Sequence, residues 1–75
     1  MALPQTNTHA GSVRWFSYSK GCGFITPDDG GTDVFAHFSE FKDSNVRSLR
    51  RDQRVCFRVS AGPEGRVARN ICSLG

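Results

Sequence analysis

The sequence has few cysteines and no closely spaced cysteine pair. Cys22, Cys56 and Cys72 are odd in number and far apart in the chain, and the histidines are His9 and His37. A zinc site usually has two ligands within a few residues of each other, so this spacing argues against bound metal. Unpaired thiols fit a reducing compartment better than a secreted protein. We therefore expect no metal, no other cofactor and a cytoplasmic location.

Long hydrophobic runs are also missing. No stretch stays apolar for the ~20 residues that a membrane-spanning helix needs, and the N-terminal residues lack the basic-then-apolar order of a signal peptide. We therefore expect no membrane association. A chain of 75 residues is near the lower limit for folding without a metal or a disulfide, so we expect one domain.

The composition indicates the fold class and the charge of a partner. Residues 1–10 have no repeating apolar pattern and are predicted to be a disordered lead-in, which leaves residues 11–75 as the domain. Eight glycines, three prolines and short apolar runs are typical of an all-β fold with several turns. The net charge of +3 favours a polyanionic partner without proving one.

The most informative segments are Ser19–Thr26 and Asp33–Phe38. The residues between them, Pro27-Asp28-Asp29-Gly30-Gly31-Thr32, are typical of a hairpin turn. The two aspartates could suggest a cation site, but they lack a third ligand nearby and are interpreted as turn formers. Alternation along the two strands gives one aliphatic face and one mainly aromatic face. The second face has Lys20 at its rim and contains Cys22, Phe24, Phe35 and His37.

Flat rings beside a cation suit an unpaired base on a phosphate backbone. Aromatic stacking contributes ~1–3 kcal/mol per base with little sequence preference. The alternative is that Phe24 and Phe35 are core residues, since aromatic side chains are usually buried. They would then compete with Ile25, Val34 and Ala36 for the single interior of a barrel. We therefore favour base stacking.

The two segments resemble the paired ribonucleoprotein motifs of the cold-shock domain family, Lys-Gly-x-Gly-Phe-Ile and Asp-Val-Phe-x-His-Phe. The segment Val13–Phe16 resembles the first strand of that family, and Ile25–Gly31 resembles the turn of its bacterial members. The likeness covers about residues 11–74. It implies a five-stranded antiparallel barrel of the oligonucleotide-binding (OB) type that holds single-stranded RNA or DNA across strands one to three. It also implies an RNA chaperone or regulator of transcription or translation in a stress response.

The first strand, predicted over Ser12–Tyr18, poses a problem of side-chain direction. Strict alternation places Trp15 on the same face as Val13, whereas the resemblance places the matching tryptophan against a base. A β-bulge could turn Trp15 toward the ligand. A tryptophan in the core remains the alternative.

The long connection Ser39–Asp52 is predicted to begin with a helical turn capped by Ser39, and to be anchored to the barrel by Phe41 and Leu49. Arginines 47, 50, 51 and 54 make the densest positive cluster, which is either a solvated face or a surface that steers phosphates. The resemblance places Arg47 beside the ligand groove. The complete predicted binding set is Arg14, Trp15, Lys20, Phe24, Phe35, His37, Phe38 and Arg47.

The remaining strands are predicted over Gln53–Ser60, which alternates clearly, and Arg66–Ser73, where Arg69 interrupts the pattern and indicates a bulge or an edge. Asp52 stands where the family usually has glycine, and aspartate tolerates the left-handed backbone that such a turn needs. Val67 is also expected to be buried. The predicted core is Val13, Ile25, Val34, Ala36, Val55, Phe57, Val59 and Ile71.

Three departures from the family pattern bear on function. Cys22 stands where the first motif normally has phenylalanine, Val46 where many members have another aromatic residue, and Glu64 where a neutral or basic residue is common. Losing one stacking ring should weaken binding by ~1–3 kcal/mol. Cys22, near Lys20, could also act as a redox gate, although drift to a small residue is the simpler explanation.

The prediction is therefore a monomeric protein that binds single-stranded RNA or DNA, including pyrimidine-rich sequences, more weakly than a typical member. The alternative is an OB-like protein-interaction module with reduced nucleic-acid affinity. An enzyme is not expected, because no nucleophile–base pair stands out in the sequence.

Overall fold

A computed structural model describes residues 8–43, 48–63 and 65–74. Within these residues the chain forms five strands and one short 3₁₀ turn. In chain order they are β1 (Thr8–Ser17), β2 (Cys22–Pro27), β3 (Val34–His37), the 3₁₀ turn (Phe38–Glu40), β4 (Arg54–Gly62) and β5 (Gly65–Ser73). None of the helical structure in the described part of the chain is long and apolar enough to cross a membrane.

The strands close into one barrel in the order β1-β2-β3-β5-β4. The pairs β1–β2, β1–β4, β2–β3 and β4–β5 are antiparallel. The barrel closes between β3 and β5, which run parallel and pair through Phe35 and Val67. The predicted five-stranded OB-type barrel is confirmed, and the parallel closure is a feature that strand patterning alone did not indicate.

The first strand is longer than the sequence indicated. It begins at Thr8, and its residues Thr8–Ser12 pair with Arg54–Arg58 of β4. The first half of β1 therefore closes the barrel against β4, while the second half pairs with β2. Of the expected lead-in, residues 8–10 belong to this strand and residues 1–7 lie outside the described residues.

A bulge in β1 resolves the direction of its side chains. Val13 pairs with Ile25, and the next pair joins Trp15 to Phe24, so Arg14 is an extra residue in the ladder. Val13 is 1% exposed and Trp15 is 44% exposed. The predicted bulge is confirmed, and it turns Trp15 outward although it lies two residues from a core valine.

The core fills the barrel with small and aliphatic side chains around one phenylalanine. Seven of the eight predicted core residues are buried, while Val59 is partly buried and packs against them. Leu49 joins the core and so anchors the long connection as expected. The buried side chains are Val13, Ile25, Val34, Ala36, Leu49, Val55, Phe57, Ala68 and Ile71.

The alternation in β5 differs from the prediction because of a second bulge. Between the pairs Arg58–Arg69 and Cys56–Cys72, β5 contains one more residue than β4. Asn70 takes a φ of 53° there. The extra residue brings Ala68 and Ile71 to the same interior side, whereas Val67, which was expected to be buried, is only partly so. The irregularity expected at Arg69 thus falls just after it.

The turn before β4 keeps its shape without glycine. Asp52 has a φ of 68°, in the left-handed region, as the sequence predicted for this position. Its backbone N–H donates to the carbonyl oxygen of Val13 at 2.8 Å, and the N–H of Val13 donates to Gln53 at 3.0 Å. The turn is therefore held directly against the bulged part of β1.

Candidate nucleic-acid interface

Three neighbouring strands bring three aromatic rings together on the outside of the barrel. Phe24 of β2 lies opposite Phe35 of β3, and their ring centroids are 5.7 Å apart at an interplanar angle of 73°. Trp15 of β1 lies next to Phe24, with ring centroids 5.6 Å apart. Both phenylalanines are partly exposed, although the core residues beside them are buried. Rings left open in this way present surface on which flat groups can stack.

A second pair of rings follows at the end of β3. His37 and Phe38 stack with centroids 4.7 Å apart at an interplanar angle of 28°, and Phe38 is 43% exposed. We call the five side chains Trp15, Phe24, Phe35, His37 and Phe38 the ring row.

The imidazole of His37 is held in place by the start of the 3₁₀ turn. Its Nδ1 accepts a hydrogen bond from the backbone N–H of Ser39 at 3.2 Å and lies 2.8 Å from the Ser39 hydroxyl. Since Nδ1 accepts from the backbone, the neutral ring carries its proton on Nε2. The prediction that Ser39 caps this turn is wrong, because the cap is the side chain of His37.

Cys22 leaves a gap in the ring row. It pairs with His37 across β2–β3 and lies two residues from Phe24 on the same strand. Its side chain is partly exposed and offers a thiol where a ring would extend the row. The platform is therefore shorter at this point.

Two glycines of the first motif allow close packing inside the protein. A Cβ on Gly21 would lie 2.5 Å from a ring carbon of Phe38, and a Cβ on Gly23 would lie 2.2 Å from the carbonyl oxygen of Trp15. Gly21 also has a φ of 70°. The close approach at these glycines is made by a neighbouring ring and a neighbouring strand.

Two of the predicted cations lie near the ring row in the described structure. Lys20 is exposed and lines a groove of about 250 Å³ together with Tyr18 and Phe38. Arg14, the bulged residue of β1, places its Nε 3.5 Å from a carboxylate oxygen of Asp33. The third predicted cation, Arg47, lies outside the described residues, as do Val46 and Glu64.

One arginine of the basic cluster, Arg54, forms an ion pair with Asp28. The guanidinium of Arg54 donates to both carboxylate oxygens of Asp28, at 2.8 and 2.5 Å. This hydrogen-bonded pair lowers the pKa of Asp28 and raises the pKa of Arg54. The positive charge of Arg54 is thus paired with the carboxylate of Asp28, while Arg50 and Arg51 are exposed beside it.

The aspartates of the β2–β3 turn have different roles. Asp29 accepts a hydrogen bond from the backbone N–H of Gly31 at 3.0 Å, as expected of a turn former. Asp28 instead bonds to Arg54 of β4. Among the described residues, no three histidine, cysteine, aspartate or glutamate side chains lie together as a metal site.

Sequence reasoning missed Arg66 at the edge of the ring row. It lines a cavity of about 450 Å³ together with Phe24, Phe35, Asp33 and Val67. In the described part of the chain, its Nε is buried and lacks a hydrogen-bond partner. The cation was visible in the sequence, but its position depends on the parallel pairing of β3 with β5, which no local pattern indicated.

Comparison with known proteins identifies the family. The sequence model of the 'Cold-shock' DNA-binding domain matches residues 9–74. The chain belongs to the cold-shock domain family. The family predicted from the paired motifs is therefore confirmed, in its bacterial form.

Similar proteins cover most of the chain. Cold shock-like protein CspG of Escherichia coli is 44% identical over 69 residues, which span 92% of this chain and 99% of that protein. Cold shock-like protein CspE of Escherichia coli is 47% identical over 64 residues, 85% of this chain and 93% of that protein. Cold shock-like protein CspA of Bordetella pertussis is 51% identical over 61 residues, 81% of this chain and 91% of that protein. This cold-shock domain is therefore a member of a family of nucleic-acid-binding proteins, which are not enzymes.

Proposed function

We propose that this cold-shock domain binds single-stranded RNA or DNA by stacking bases on the ring row. The observation that carries the proposal is the open position of these rings: Trp15 and Phe38 are 44% and 43% exposed, and the other three are partly exposed. The buried core, built around Phe57, already fills the barrel interior, so the rings of the row are not needed there. Each stacked base would contribute ~1–3 kcal/mol with little dependence on its identity.

The phosphate backbone of the bound strand would follow the cations beside the rings. Lys20 lies in the groove next to Phe38, and Arg14 flanks Trp15 on β1. Arg47 belongs to the same proposed set, and Arg66 extends it on the side of Phe35. Phosphate contacts of this kind release counterions, so affinity should fall as the salt concentration rises.

The gap at Cys22 supports a lower affinity for single-stranded nucleic acid than that of a site with an unbroken row of rings. Without a ring opposite His37, one stacking position is lost, which corresponds to roughly a ten- to hundredfold weaker complex. The same gap favours the second candidate function, a protein-interaction module that retains the barrel and has little nucleic-acid affinity. Stacking without base-edge contacts is compatible with a modest preference for pyrimidine-rich strands.

The proposed activity is that of a passive RNA chaperone or a regulator of transcription or translation. A protein that binds the open strand and not the duplex shifts the equilibrium toward the open strand by mass action, without catalysis or ATP. We propose that it acts as a monomer in the cytoplasm, where its three free thiols fit the reducing conditions.

The test is quenching of Trp15 fluorescence by a short oligothymidine at several salt concentrations. Trp15 is the single tryptophan of the chain and lies within the ring row, so stacking should quench it directly. We expect saturable quenching with a slope of log affinity against log salt of about −0.7 for each phosphate contact. A matched duplex should bind much more weakly. No quenching of the folded protein at high oligonucleotide concentration would favour the protein-interaction module instead.

A further inference from the structure

Two of the three cysteines are neighbours in space. Cys56 of β4 and Cys72 of β5 lie directly opposite each other in the antiparallel pairing of these strands. Their Sγ atoms are 2.7 Å apart, and the two free thiols share a hydrogen bond. Opposite residues in such a pair have Cα atoms roughly 4.5–5.5 Å apart, which lies within the range that a disulfide accepts.

We propose that Cys56 and Cys72 form a site of oxidative modification, where a low-molecular-weight disulfide such as glutathione disulfide converts the two thiols into a bond between β4 and β5. The pairing of the strands already brings the sulfur atoms together, so little backbone movement is needed. Cys22 is not part of this site, because it lies on β2 opposite His37.

The cavity next to β5 gives the oxidant access to one of the two thiols. Cys72 lines a cavity of about 330 Å³ together with Phe41, Lys42, Leu49 and Gln53. The thiolate of Cys72 attacks one sulfur of glutathione disulfide, and a glutathione thiolate leaves. The thiolate of Cys56 then attacks the Cys72 sulfur of the mixed disulfide, and the second glutathione thiolate leaves. The two cysteines lose two electrons and two protons, and glutathione disulfide becomes two glutathione thiols.

The surroundings of Cys56 slow its direct reaction with an oxidant. The hydrogen bond with Cys72 raises the pKa of the Cys56 thiol, burial acts in the same direction, and the ammonium of Lys42 opposes them. A thiol that is mostly protonated reacts slowly with an oxidant in solution. It can still attack a mixed disulfide that forms directly opposite it.

The bond would stabilise the barrel without touching the ring row. It would join residues 16 positions apart and so close the β4–β5 hairpin into a covalent loop. Such a loop restricts the unfolded chain, and for a domain of this size the expected rise in Tm is about 10 °C or more. The rings lie on β1, β2, β3 and the start of the 3₁₀ turn, whereas the bond would join β4 to β5.

To test the proposal, the reduced full chain is incubated with glutathione disulfide. The intact mass, the masses of tryptic peptides and the Tm are then measured. We expect a mass loss of two hydrogens and a higher Tm. Trypsin should then release one cross-linked product of residues 55–58 and 70–75, since cleavage after Arg54, Arg58 and Arg69 separates the two cysteines. Addition of dithiothreitol should reverse all three changes.

Single serine variants identify the thiols involved. Cys22→Ser should form the same cross-link and gain the same increase in Tm. Cys56→Ser and Cys72→Ser should form no intramolecular bond and show no such increase, and circular dichroism would establish that they are folded. If the wild-type chain forms only glutathione adducts, forms a bond that includes Cys22, or melts at an unchanged temperature once cross-linked, the proposal is wrong.

Discussion

Cys22 and His37 lie opposite each other in the antiparallel pair β2–β3, and the thiol occupies the position where a ring would continue the row from Phe24. Two residues further along the same ladder, Phe24 and Phe35 make a ring–ring contact. The difference between these two pairs is the main reason to expect a weakened binding surface.

Restoring a ring at this position should strengthen binding. We expect Cys22→Phe to raise the affinity for a short oligothymidine by roughly ten- to hundredfold at fixed salt, since it adds one stacking position. Titration of Trp15 fluorescence measures the change. Cys22→Ser, which alters the thiol without adding a ring, is the control and should bind like the wild type. Equal affinities for Cys22→Phe and the wild type would show that this position does not meet the bound strand.

Removing a ring from the row should weaken binding. Phe35→Ala removes the ring that contacts Phe24, and we expect a loss of ~1–3 kcal/mol in binding free energy. Phe35→Tyr keeps the ring and should retain most of the affinity. Because Phe35 is partly buried, thermal melting of both variants must first show that they are folded at the assay temperature. A folded Phe35→Ala variant with wild-type affinity would contradict base stacking at Phe35.

The buried guanidinium nitrogen of Arg66 gives a third prediction. Arg66→Gln should weaken binding because it removes a cation beside Phe24 and Phe35. Arg58→Gln is the matched control, since it removes the same charge from an exposed position on β4. If Arg66 contacts a phosphate, its variant should also have a salt slope shallower by about 0.7. If both variants bind alike, the effect of Arg66 is limited to net charge.

The ion pair between Asp28 and Arg54 predicts a pH dependence of stability. The pKa of Asp28 is lowered in the folded protein, so the pair stabilises the fold above the ordinary aspartate pKa of about 3.9. This stabilisation is lost as the pH falls through the lowered value. The free energy of unfolding of the wild type should therefore exceed that of Asp28→Asn by a constant amount above about pH 5, and the difference should shrink below about pH 4.

Urea denaturation between pH 2 and pH 7 would measure this difference. Arg54→Gln removes the partner of the carboxylate and should reduce the same part of the pH profile. The effect should be modest, because both side chains are about half exposed. A difference between wild type and Asp28→Asn that stays constant down to pH 2 would show that the pair does not perturb Asp28.

Much of this fold could be predicted from local patterns. The two ribonucleoprotein-like motifs identified β2 and β3, and alternation identified β4, because a strand with one face in the core must alternate. The bulge at Arg14 was expected only with the help of the family resemblance: alternation placed Trp15 on the face of Val13, whereas the resemblance placed it against a base. The left-handed turn at Asp52 was also expected from the resemblance, since the family usually has glycine there and aspartate tolerates that backbone.

Local patterns misplaced other features. Val67 was expected to be buried, but Ala68 is buried in its place, because the register of β5 depends on the extra residue near Asn70. Ser39 was expected to cap the 3₁₀ turn, but the cap is His37, whose imidazole accepts a hydrogen bond from the Ser39 N–H. The first feature depends on the pairing of two strands, and the second on a side-chain contact between residues two positions apart.

The sequence by itself determined the strand pattern, the aliphatic core and the aromatic side chains of the proposed binding surface, since these depend on the period of two along each strand. Only the tertiary structure decided which distant residues became neighbours. Closure of the barrel through β3 and β5 brought Arg66 to Phe35, and pairing of β4 with β5 brought Cys56 to Cys72. Pairing of β1 with both β2 and β4 brought Asp28 to Arg54. The physical reason is that these contacts join separate parts of the chain, so they depend on register and closure rather than on any local preference.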